Sequence, residues 1–337
     1  MDQLLSDDTP HPLAVFGGRG CQELTRKICN YLDEPVGKCF NQPFANGETF
    51  VRTESDVRGK DVFVIVSLCR QHIPDEYGNT GINDAVMELL TFGDTLRRAS
   101  AHRMTAVIPC FGYARQDRKT EGRTPITARL MADLLVQAGY NRVLTMDLHA
   151  NQIQGFFPRH VPLDHLSAGP LFAEHYMSSK MSDIVMLSPD VGNLKKAGKQ
   201  RIGLPGEVGI AVIDKVRDKD GNVTAQRLVG DVAGKNVLLF DDIISTAGTM
   251  RQAIDLATEN GAAAFYLAAT HGEFVGTAVE RLQHDLIKEV CVTDTIPVLP
   301  NMDELPIKVL STAELFGDAI LRIHRFESIS ELLGPYG

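Results

Sequence analysis

Short runs of apolar, often β-branched residues alternate along the chain with amphipathic stretches of helical length. In the first half, this pattern predicts strands over Val62–Val66, Thr105–Pro109 and Arg142–Met146, separated by helices over Asn83–Ala99 and Ile126–Ala138. Because the apolar runs are nearly continuous, we expect the strands to be buried on both faces, as in parallel sheets that helices cover. The pattern therefore predicts the α/β class.

The second half repeats this order of strands and helices. Its predicted elements are strands over Ile184–Leu187, Val208–Ile213, Asn236–Phe240, Ala263–Ala268 and Val290–Thr293, with a helix over Thr249–Asn260. Two passages can be overlaid, because Gly59-Lys60-Asp61-Val62 and Gly234-Lys235-Asn236-Val237 each open a strand. The overlay suggests a duplicated α/β domain, although two unrelated strand–helix units would give the same signal.

The length of 337 residues is enough for about two domains. We place the boundary just after Pro158–Pro162, which gives an N-terminal domain over residues 13–165 and a C-terminal domain over residues 166–310. The last predicted helix, Thr312–His324, is expected to fold back, so that residues 311–337 join the N-terminal domain.

Charge and cysteine content exclude several classes of protein. The chain carries 34 Lys and Arg against 43 Asp and Glu, a net charge of -9, which disfavours binding to nucleic acid or to an anionic membrane. Its 6 cysteines form no CxxC pair, so we expect free thiols in a reducing cytoplasm. The acidic N-terminal segment, residues 1–12, lacks the features of a signal peptide, and no apolar run reaches the length of a membrane helix.

The most specific segment is Asn236–Thr249, in which an apolar strand runs into Asp241-Asp242 and then into the turn Ser245–Thr249. We expect the strand to end at the carboxylates and the turn to open a helix, whose free N–H groups and hydroxyls converge on a phosphate. The carboxylates can accept hydrogen bonds from sugar hydroxyls or contribute to Mg²⁺ binding. A sugar phosphate would satisfy both parts. The alternative is that these side chains only cap the strand and the helix.

This segment resembles the phosphoribosyl-binding loop of the type I phosphoribosyltransferase fold. The chain from about Val15 to Leu333 resembles the class I ribose-phosphate pyrophosphokinases, through motifs at Phe44–Glu48, Pro109–Arg118, Asp147–Phe157, Ser188–Asp190, Ile213–Arg217, Gly230–Gly234 and the segment above. The resemblance implies two duplicated phosphoribosyltransferase-like domains, each a mainly parallel sheet flanked by helices. It also implies transfer of the pyrophosphoryl group of MgATP to the C1 hydroxyl of ribose 5-phosphate, giving phosphoribosyl pyrophosphate and AMP for nucleotide biosynthesis.

The resemblance assigns a role to particular residues of this chain. It implies ATP binding by Phe44, Asn46, Gly47, Glu48, Arg115 and Gln116, Mg²⁺ binding by His149 and Asp190, and catalysis by Lys215 and Arg217. It implies ribose 5-phosphate binding by Arg217, Asp241, Asp242, Ser245, Thr246, Ala247, Gly248 and Thr249. Without the resemblance, plainer interpretations stay open. Asn46–Glu48 could be only a hairpin turn and Tyr113–Pro125 only a solvated basic loop. His149 could be a core histidine, and Lys215 and Arg217 could be a charged strand end.

In the family, the turn that matches Asn46–Glu48 reaches ATP from a neighbouring subunit. The resemblance therefore implies a homo-oligomer, a hexamer built from dimers. It also implies an ADP regulator at a subunit interface, because Arg58, Gln154, Asp164 and Ser311 match positions around the family's regulatory site, whereas Asn151 replaces a family serine.

The chain departs from the family pattern in four places. Ser245 replaces the usual Asp, Ala247 stands where Gly is frequent, Asn193 stands where Gly is usual, and about ten residues are inserted around Gln71–Ile82, where a surface loop is expected. Two other functions stay open: a phosphoribosyltransferase that consumes phosphoribosyl pyrophosphate, and a non-catalytic regulatory relative. The ATP-binding motifs of the first half argue against the phosphoribosyltransferase. The retention of Lys215, Arg217, His149 and Asp190 argues against the non-catalytic relative.

Overall fold

The structure is a computed structural model that describes residues 11–70, 81–179, 181–190, 204, 208–217, 223–297 and 302–332, with the backbone alone at 215–217 and 223–225. The acidic N-terminal residues 1–10, residues 71–80 of the insertion and Asn193 lie outside the described residues. The chain divides into an N-terminal unit, Met1–Leu166 with Ala313–Leu333, and a C-terminal unit that contains Ser167–Thr312. The sequence placed these divisions near residues 165 and 310.

The N-terminal unit is built on a parallel sheet. Its elements in chain order are β1 (Leu13–Gly17), α1 (Gln22–Leu32), β2 (Cys39–Pro43), β3 (Thr49–Thr53), β4 (Asp61–Ile65), α2 (Ile82–Arg98), β5 (Arg103–Ile108), α3 (Thr127–Ala138), β6 (Arg142–Met146) and β7 (Leu163–Leu166). The 5-stranded sheet has the order β1-β4-β5-β6-β7, and every pair in it is parallel. Strands β2 and β3 form a separate antiparallel hairpin. All five residues of β4 are buried, as expected for a strand covered on both faces.

The C-terminal unit follows the same plan with a larger sheet. Its elements are α4 (Gly169–Ser178), β8 (Ile184–Ser188), β9 (Gly209–Arg217), β10 (Val223–Val229), β11 (Asn236–Ile244), α5 (Gly248–Glu259), β12 (Ala264–Gly272), α6 (Ala278–Leu282), β13 (Ile287–Thr293) and β14 (Ile307–Leu310). The 7-stranded sheet has the order β10-β9-β8-β11-β12-β13-β14. Only β10 pairs antiparallel among the described strands of this sheet, so the sheet is mainly parallel.

The two sheets share a repeated order of strands. The order β1-β4-β5-β6-β7 in one unit corresponds to β8-β11-β12-β13-β14 in the other, and each unit inserts a hairpin after its first strand. Gly59-Lys60 precedes β4 and Gly234-Lys235 precedes β11, which are the second strands of the two orders. The structure therefore confirms the α/β class and the duplicated, mainly parallel arrangement that the sequence predicted.

The last helix, α7 (Ala313–His324), belongs to the N-terminal unit and packs against α1. The Tyr31 ring of α1 packs directly on Gly317 of α7, because a Cβ atom on Gly317 would lie 2.4 Å from that ring. The end of α7 is held by Asp61, whose carboxylate accepts hydrogen bonds from Arg103 Nε (2.8 Å) and His324 Nδ1 (2.9 Å). Arg103 also donates to the Ile323 carbonyl at 3.1 Å. One buried carboxylate thus joins the start of β4 to the end of α7.

The predicted end of β11 was wrong. The sequence ended this strand at Phe240, but the structure continues it to Ile244, so Asp241 and Asp242 lie within the strand. Pairing with β12 continues as far as Ile244 and Gly272, and this pairing extends the strand past the two carboxylates. The bounds of α2 also differ slightly, because this helix begins at Ile82, the last residue of the predicted insertion.

The connection from β11 to α5 contains a strained residue. Ala247, the residue just before α5, has φ +57° and ψ +13°, the left-handed conformation that L-residues other than Gly rarely adopt. Its methyl group is buried. The turn between strand and helix is therefore held in this shape by its surroundings rather than by local preference.

Within the described residues, no helix combines the length and the apolar character that crossing a bilayer requires. All 6 cysteines lie in described segments and are free thiols, as the sequence predicted. Burial raises the pKa of Cys29 to about 11 and that of Cys21 to about 12, so both are protonated at neutral pH.

We predict that Asp61→Asn lowers the free energy of unfolding by about 3 kcal/mol, because it leaves the half-buried Arg103 without its carboxylate. Asp61 is 2% exposed. Burial alone would raise the pKa of Asp61, but the hydrogen bonds and charges of Arg103 and His324 outweigh it and lower that pKa. The stabilisation is therefore complete above the pKa of an unfolded aspartate, about 3.9, and is lost as pH falls through the lower folded-state value.

Urea unfolding of wild type and Asp61→Asn, from neutral pH to below about pH 3.9, measures the difference in their free energy of unfolding. Asp94→Asn is the matched control, because Asp94 pairs with Arg98 on the surface and this exposed pair should contribute far less to the free energy of unfolding. Equal losses in the two variants, or a wild-type advantage that does not shrink in acid, would contradict the role of Asp61.

We also predict that Ala247→Gly raises the free energy of unfolding by about 0.5 to 1 kcal/mol, because glycine adopts the left-handed conformation without the steric penalty. Thermal unfolding monitored by circular dichroism checks this. The same substitution at Ala253, inside the right-handed α5, should destabilise the protein by about 1 kcal/mol or more. A fall in melting temperature for both variants would show that Ala247 is not strained.

Candidate active site

In the C-terminal unit, the turn between β11 and α5 lies at the carboxyl edge of the parallel strands, where open α/β sheets bind their ligands. Its carbonyl groups are tied to the protein: Val275 N–H donates to the Ser245 carbonyl at 3.0 Å, and Arg281 Nη1 donates to the Thr246 carbonyl at 2.8 Å. The first N–H groups of α5 have no acceptor within the helix, so they can bind an anion.

The side chains around this turn differ in exposure. Thr246 and Thr249 are exposed and Ser245 is half-buried, so hydroxyl groups are available to a ligand. Asp242 is buried, whereas Asp241 is half-buried and accepts a hydrogen bond from the Asp242 N–H at 2.8 Å. Gly248 starts α5, directly after the left-handed Ala247.

Three more predicted site residues of this unit lie at or just after strand ends at the same edge. Asp190 comes two residues after the end of β8 and is half-buried, and its carbonyl accepts a hydrogen bond from the Ser188 hydroxyl at 2.7 Å. Lys215 and Arg217 lie at the end of β9, opposite Gln226 and Val223 of β10. Their side chains lie outside the described structure.

In the N-terminal unit, residues Phe44–Glu48 form the turn of the β2–β3 hairpin. Phe44 N–H donates to the Glu48 carbonyl at 2.8 Å, and the Asn46 side chain accepts from the Glu48 N–H at 3.1 Å. Gly47 has φ +89°, which explains why this position of the turn favours glycine. The turn carries an exposed aromatic surface, because Phe44 is 53% exposed and its ring centre lies 5.1 Å from that of Phe50.

The start of α3 holds the basic segment that follows β5 at Gln116. Gln116 Oε1 accepts a hydrogen bond from the Thr127 hydroxyl at 2.6 Å, and the Gln116 carbonyl accepts from Ala128 N–H at 3.2 Å. The start of α3 thereby holds Gln116, while Arg115 next to it is exposed to solvent. At the start of the segment, a Cβ atom on Gly112 would lie 2.4 Å from the Leu68 carbonyl oxygen, so only glycine fits there.

His149 follows β6 and is exposed at the carboxyl edge of the N-terminal sheet. The chain turns sharply just before it, because Asp147 has φ +38°. Two hydrogen bonds hold this turn: Asp147 N–H donates to the Leu166 carbonyl at 3.0 Å, and Leu148 N–H donates to His165 Nε2 at 2.8 Å. An accepting Nε2 requires His165 to carry its proton elsewhere, on Nδ1. The histidine of the expected metal site is therefore presented to solvent by a fixed backbone.

Sequence reasoning missed the residues that support the site. Arg281, 35 positions from the carbonyl that it binds, fixes the turn after β11, and Thr127 and His165 fix Gln116 and Leu148. Each contact joins residues that are distant in sequence, and none carries a local motif.

Comparison with known proteins covers both units. Residues 13–139 match the family model described as the N-terminal domain of ribose phosphate pyrophosphokinase, and residues 209–334 match the phosphoribosyl synthetase-associated domain. The chain is 45% identical over 328 residues to a ribose-phosphate pyrophosphokinase of Rhodopirellula baltica, covering 95% of this chain and 98% of the relative. It is 43% identical to the corresponding protein of a Nostoc species, covering 96% and 94%.

A solved structure gives the same result for the fold. The crystal structure of phosphoribosylpyrophosphate synthetase from Mycobacterium smegmatis matches with a TM-score of 0.83 and 40% identity, over 94% of this chain and 99% of that one. Since the matches extend over nearly the full length at this level of identity, the chain belongs to the ribose-phosphate pyrophosphokinase family.

Proposed function

We propose that this protein transfers the β,γ-pyrophosphoryl group of MgATP to the C1 hydroxyl of ribose 5-phosphate, giving phosphoribosyl pyrophosphate and AMP for nucleotide biosynthesis. The observation that carries the proposal is the full-length match to relatives named ribose-phosphate pyrophosphokinase, which includes both units. A relative that kept only the sugar-phosphate turn would not need the ATP-binding elements of the N-terminal unit.

Ribose 5-phosphate would bind at the turn after β11. The free N–H groups of α5 and the hydroxyls of Ser245, Thr246 and Thr249 are suited to the 5-phosphate, and Gly248 lets the phosphate approach the backbone. Asp241 and Asp242 would accept hydrogen bonds from ribose hydroxyls. The bonds from Val275 and Arg281 to the carbonyls of this turn keep its shape without a ligand.

ATP would bind to the N-terminal unit. The exposed ring of Phe44 is suited to stack on adenine, and Asn46 and Glu48 to hydrogen-bond the nucleoside across the turn at Gly47. Arg115 and Gln116 would contact the phosphates, the arginine with a paired set of donors that match phosphate oxygens. By family resemblance the hairpin serves the ATP of a neighbouring subunit, so the active protein would be a homo-oligomer, a hexamer built from dimers.

Mg²⁺ would be held by His149 and Asp190. The residues fit this ion in part: His149 is exposed and offers a nitrogen, and Asp190 is half-buried and offers a carboxylate, so Mg²⁺ would also need oxygen donors from water and phosphate. When bound, the ion neutralises phosphate charge and orients the triphosphate.

The chemistry would then depend on position and charge. The C1 oxygen forms a bond to the β-phosphorus, the bond from that phosphorus to the α,β-bridging oxygen breaks, and AMP leaves with the bridging oxygen. Lys215, Arg217 and Arg115 would stabilise the negative charge that spreads over these oxygens. We assign no general base, so the proton of the C1 hydroxyl would pass to solvent.

Regulation by ADP at a subunit interface is also proposed from the family resemblance. Arg58 and Ser311 are exposed, and Ser311 donates to the Asp294 carboxylate at 2.9 Å. Asp164 already forms an ion pair with Arg142. ADP that inhibits only by competing with ATP at saturating ribose 5-phosphate would count against this second site.

One assay separates the three candidate functions. The synthase releases AMP and forms phosphoribosyl pyrophosphate in equal amounts from ATP and ribose 5-phosphate. A phosphoribosyltransferase would instead form a nucleotide from phosphoribosyl pyrophosphate and a base, without ATP, and a non-catalytic relative would do neither. Failure to release AMP under conditions in which a purified relative is active would refute the proposal.

We predict that Lys215→Ala lowers kcat by about 100-fold or more, with little change in fold or in ATP binding, because a cation directed at the transition state acts mainly on kcat. Steady-state kinetics and equilibrium ATP binding check this. Lys235→Ala is the control, since Lys235 forms an ion pair with the exposed Asp231 and has no role in the proposed reaction. A Lys215 variant that keeps more than about a tenth of wild-type kcat would exclude this catalytic role.

We predict that Ser245→Ala raises the KM for ribose 5-phosphate about tenfold, because a hydrogen bond to a charged phosphate contributes about 1.5 to 3 kcal/mol. The KM for ATP should change less and serves as the internal control. Ser245→Asp, which restores the family residue, tests whether a carboxylate can substitute for the hydroxyl. An unchanged KM in the alanine variant would show that the backbone of the turn alone binds the phosphate.

A further inference from the structure

A group of metal-ligating side chains lies in the C-terminal unit, away from the residues assigned above. Among the described residues, His175, Glu289 and Cys291 place one nitrogen, one oxygen and one sulfur atom within 4.8 Å of one another. His175 Nε2 and Glu289 Oε1 are 2.9 Å apart, within hydrogen-bond distance. The proposed reaction uses none of these side chains.

The fold brings the three side chains together from two elements. Glu289 and Cys291 are two residues apart on β13, so they share one face of the sheet. Helix α4 covers that face, because Phe172 packs edge-on against Phe240 with ring centres 4.8 Å apart, and Phe240 lies beside Ala268 and Cys291 in the register. His175 follows Phe172 by three residues, which places it on the same side of α4.

The donor atoms match one class of cation. A neutral imidazole, a carboxylate and a thiolate form a ligand set that Zn²⁺ accepts, whereas Mg²⁺ and Ca²⁺ prefer oxygen alone. In a tetrahedral zinc site, neighbouring ligand atoms are about 3.2 to 3.8 Å apart. The present separations, from 2.9 Å to at most 4.8 Å, span this range, so side-chain shifts of about 1 Å would close the site.

The cluster can be reached from solvent through His175 and Glu289, and the buried Tyr176 hydroxyl lies next to it. The side chains of His175 and Glu289 are 16% and 23% exposed, which leaves a route from solvent, while Cys291 is fully buried behind them. The Tyr176 hydroxyl is buried beside Glu289 and Cys291 and has no hydrogen bond of normal geometry within the described structure. Ligation of a cation would turn the neighbouring thiol into a thiolate, an acceptor for this hydroxyl.

We propose that His175, Glu289 and Cys291 bind one Zn²⁺ ion per chain, which links α4 to β13. The fourth position would be taken by water. The site is separate from the proposed sugar-phosphate turn, because Ser245 follows the end of β11 and lies five residues beyond Phe240, about 16 Å of extended chain. The ion would act on stability, since it joins elements that are 114 residues apart in sequence.

The free thiol must lose a proton to bind the ion. Burial raises the pKa of Cys291 to about 12, so without a metal the thiol is neutral and the group is an imidazole–carboxylate pair beside a packed cysteine. Binding therefore releases a proton and competes with this state.

Cobalt(II) serves as the spectroscopic probe for the site. Chelator-treated full-length protein, titrated with Co²⁺ in buffer free of Mg²⁺, should develop a thiolate-to-cobalt charge-transfer absorption that saturates at one equivalent and disappears when Zn²⁺ is added. Cobalt at His149 and Asp190 would give no such band, because neither residue supplies sulfur. The readout is therefore independent of the proposed catalytic metal and of the proposed reaction.

Variants of the three proposed ligands test whether the cobalt absorption band arises at this site. Cys291→Ala should abolish it, and His175→Gln and Glu289→Gln should weaken Co²⁺ binding at least about tenfold. These two partly exposed positions keep the test valid if the cysteine variant folds poorly. Cys29→Ala, at another buried thiol, should leave the band unchanged, and Zn²⁺ should raise the melting temperature of wild type but not of His175→Gln.

Two results would overturn the proposal. The first is the absence of a thiolate band in wild type, which would leave the cluster as an ion pair beside a packed cysteine. The second is a band that persists in Cys291→Ala, or that keeps its affinity in both His175→Gln and Glu289→Gln, which would place the metal at another cysteine.

Discussion

Parallel pairing of strands in one repeated order determines where each unit can present ligand-binding groups. In β1-β4-β5-β6-β7 and in β8-β11-β12-β13-β14, all the carboxyl ends of the strands lie along one edge of their sheet. The loops at that edge carry Arg115 and His149 in the N-terminal unit, and Asp190 and Ser245 in the C-terminal unit. Helices cover both faces of such sheets, so little other than this edge is left for chemistry.

The two copies of the fold have diverged at corresponding positions. Asp61 and Asn236 both begin the second strand of their order, but the buried Asp61 holds the last helix through Arg103 and His324, whereas Asn236 donates to the Ser182 carbonyl at 2.8 Å. The inserted hairpins also differ: β2–β3 stands apart from its sheet, while β9 pairs with β8 and extends the other sheet. The separate hairpin leaves its aromatic turn exposed, which suits the proposed contact with a nucleotide.

The sequence predicted the α/β class, the duplication and most of the strands, because continuous apolar runs and glycine-containing breaks are local signals. It misplaced the end of β11, since hydrogen bonding to β12 extends that strand through two carboxylates that local preference would exclude. It also could not reveal the hydrogen bond from Arg281 to Thr246, the support of Gln116 by Thr127, or the cluster of His175 with Glu289 and Cys291. Each of these depends on elements that meet only in the folded chain.

In the proposed reaction, two phosphoryl groups of ATP pass together to the sugar. The test uses ATP labelled with ³²P at the α, β or γ position, incubated with the enzyme, ribose 5-phosphate and Mg²⁺. We expect β and γ label to appear in the sugar product in equal amounts and α label to stay with AMP. Transfer of γ label alone, with ADP as the other product, would mean a monophosphoryl kinase and would refute pyrophosphoryl transfer.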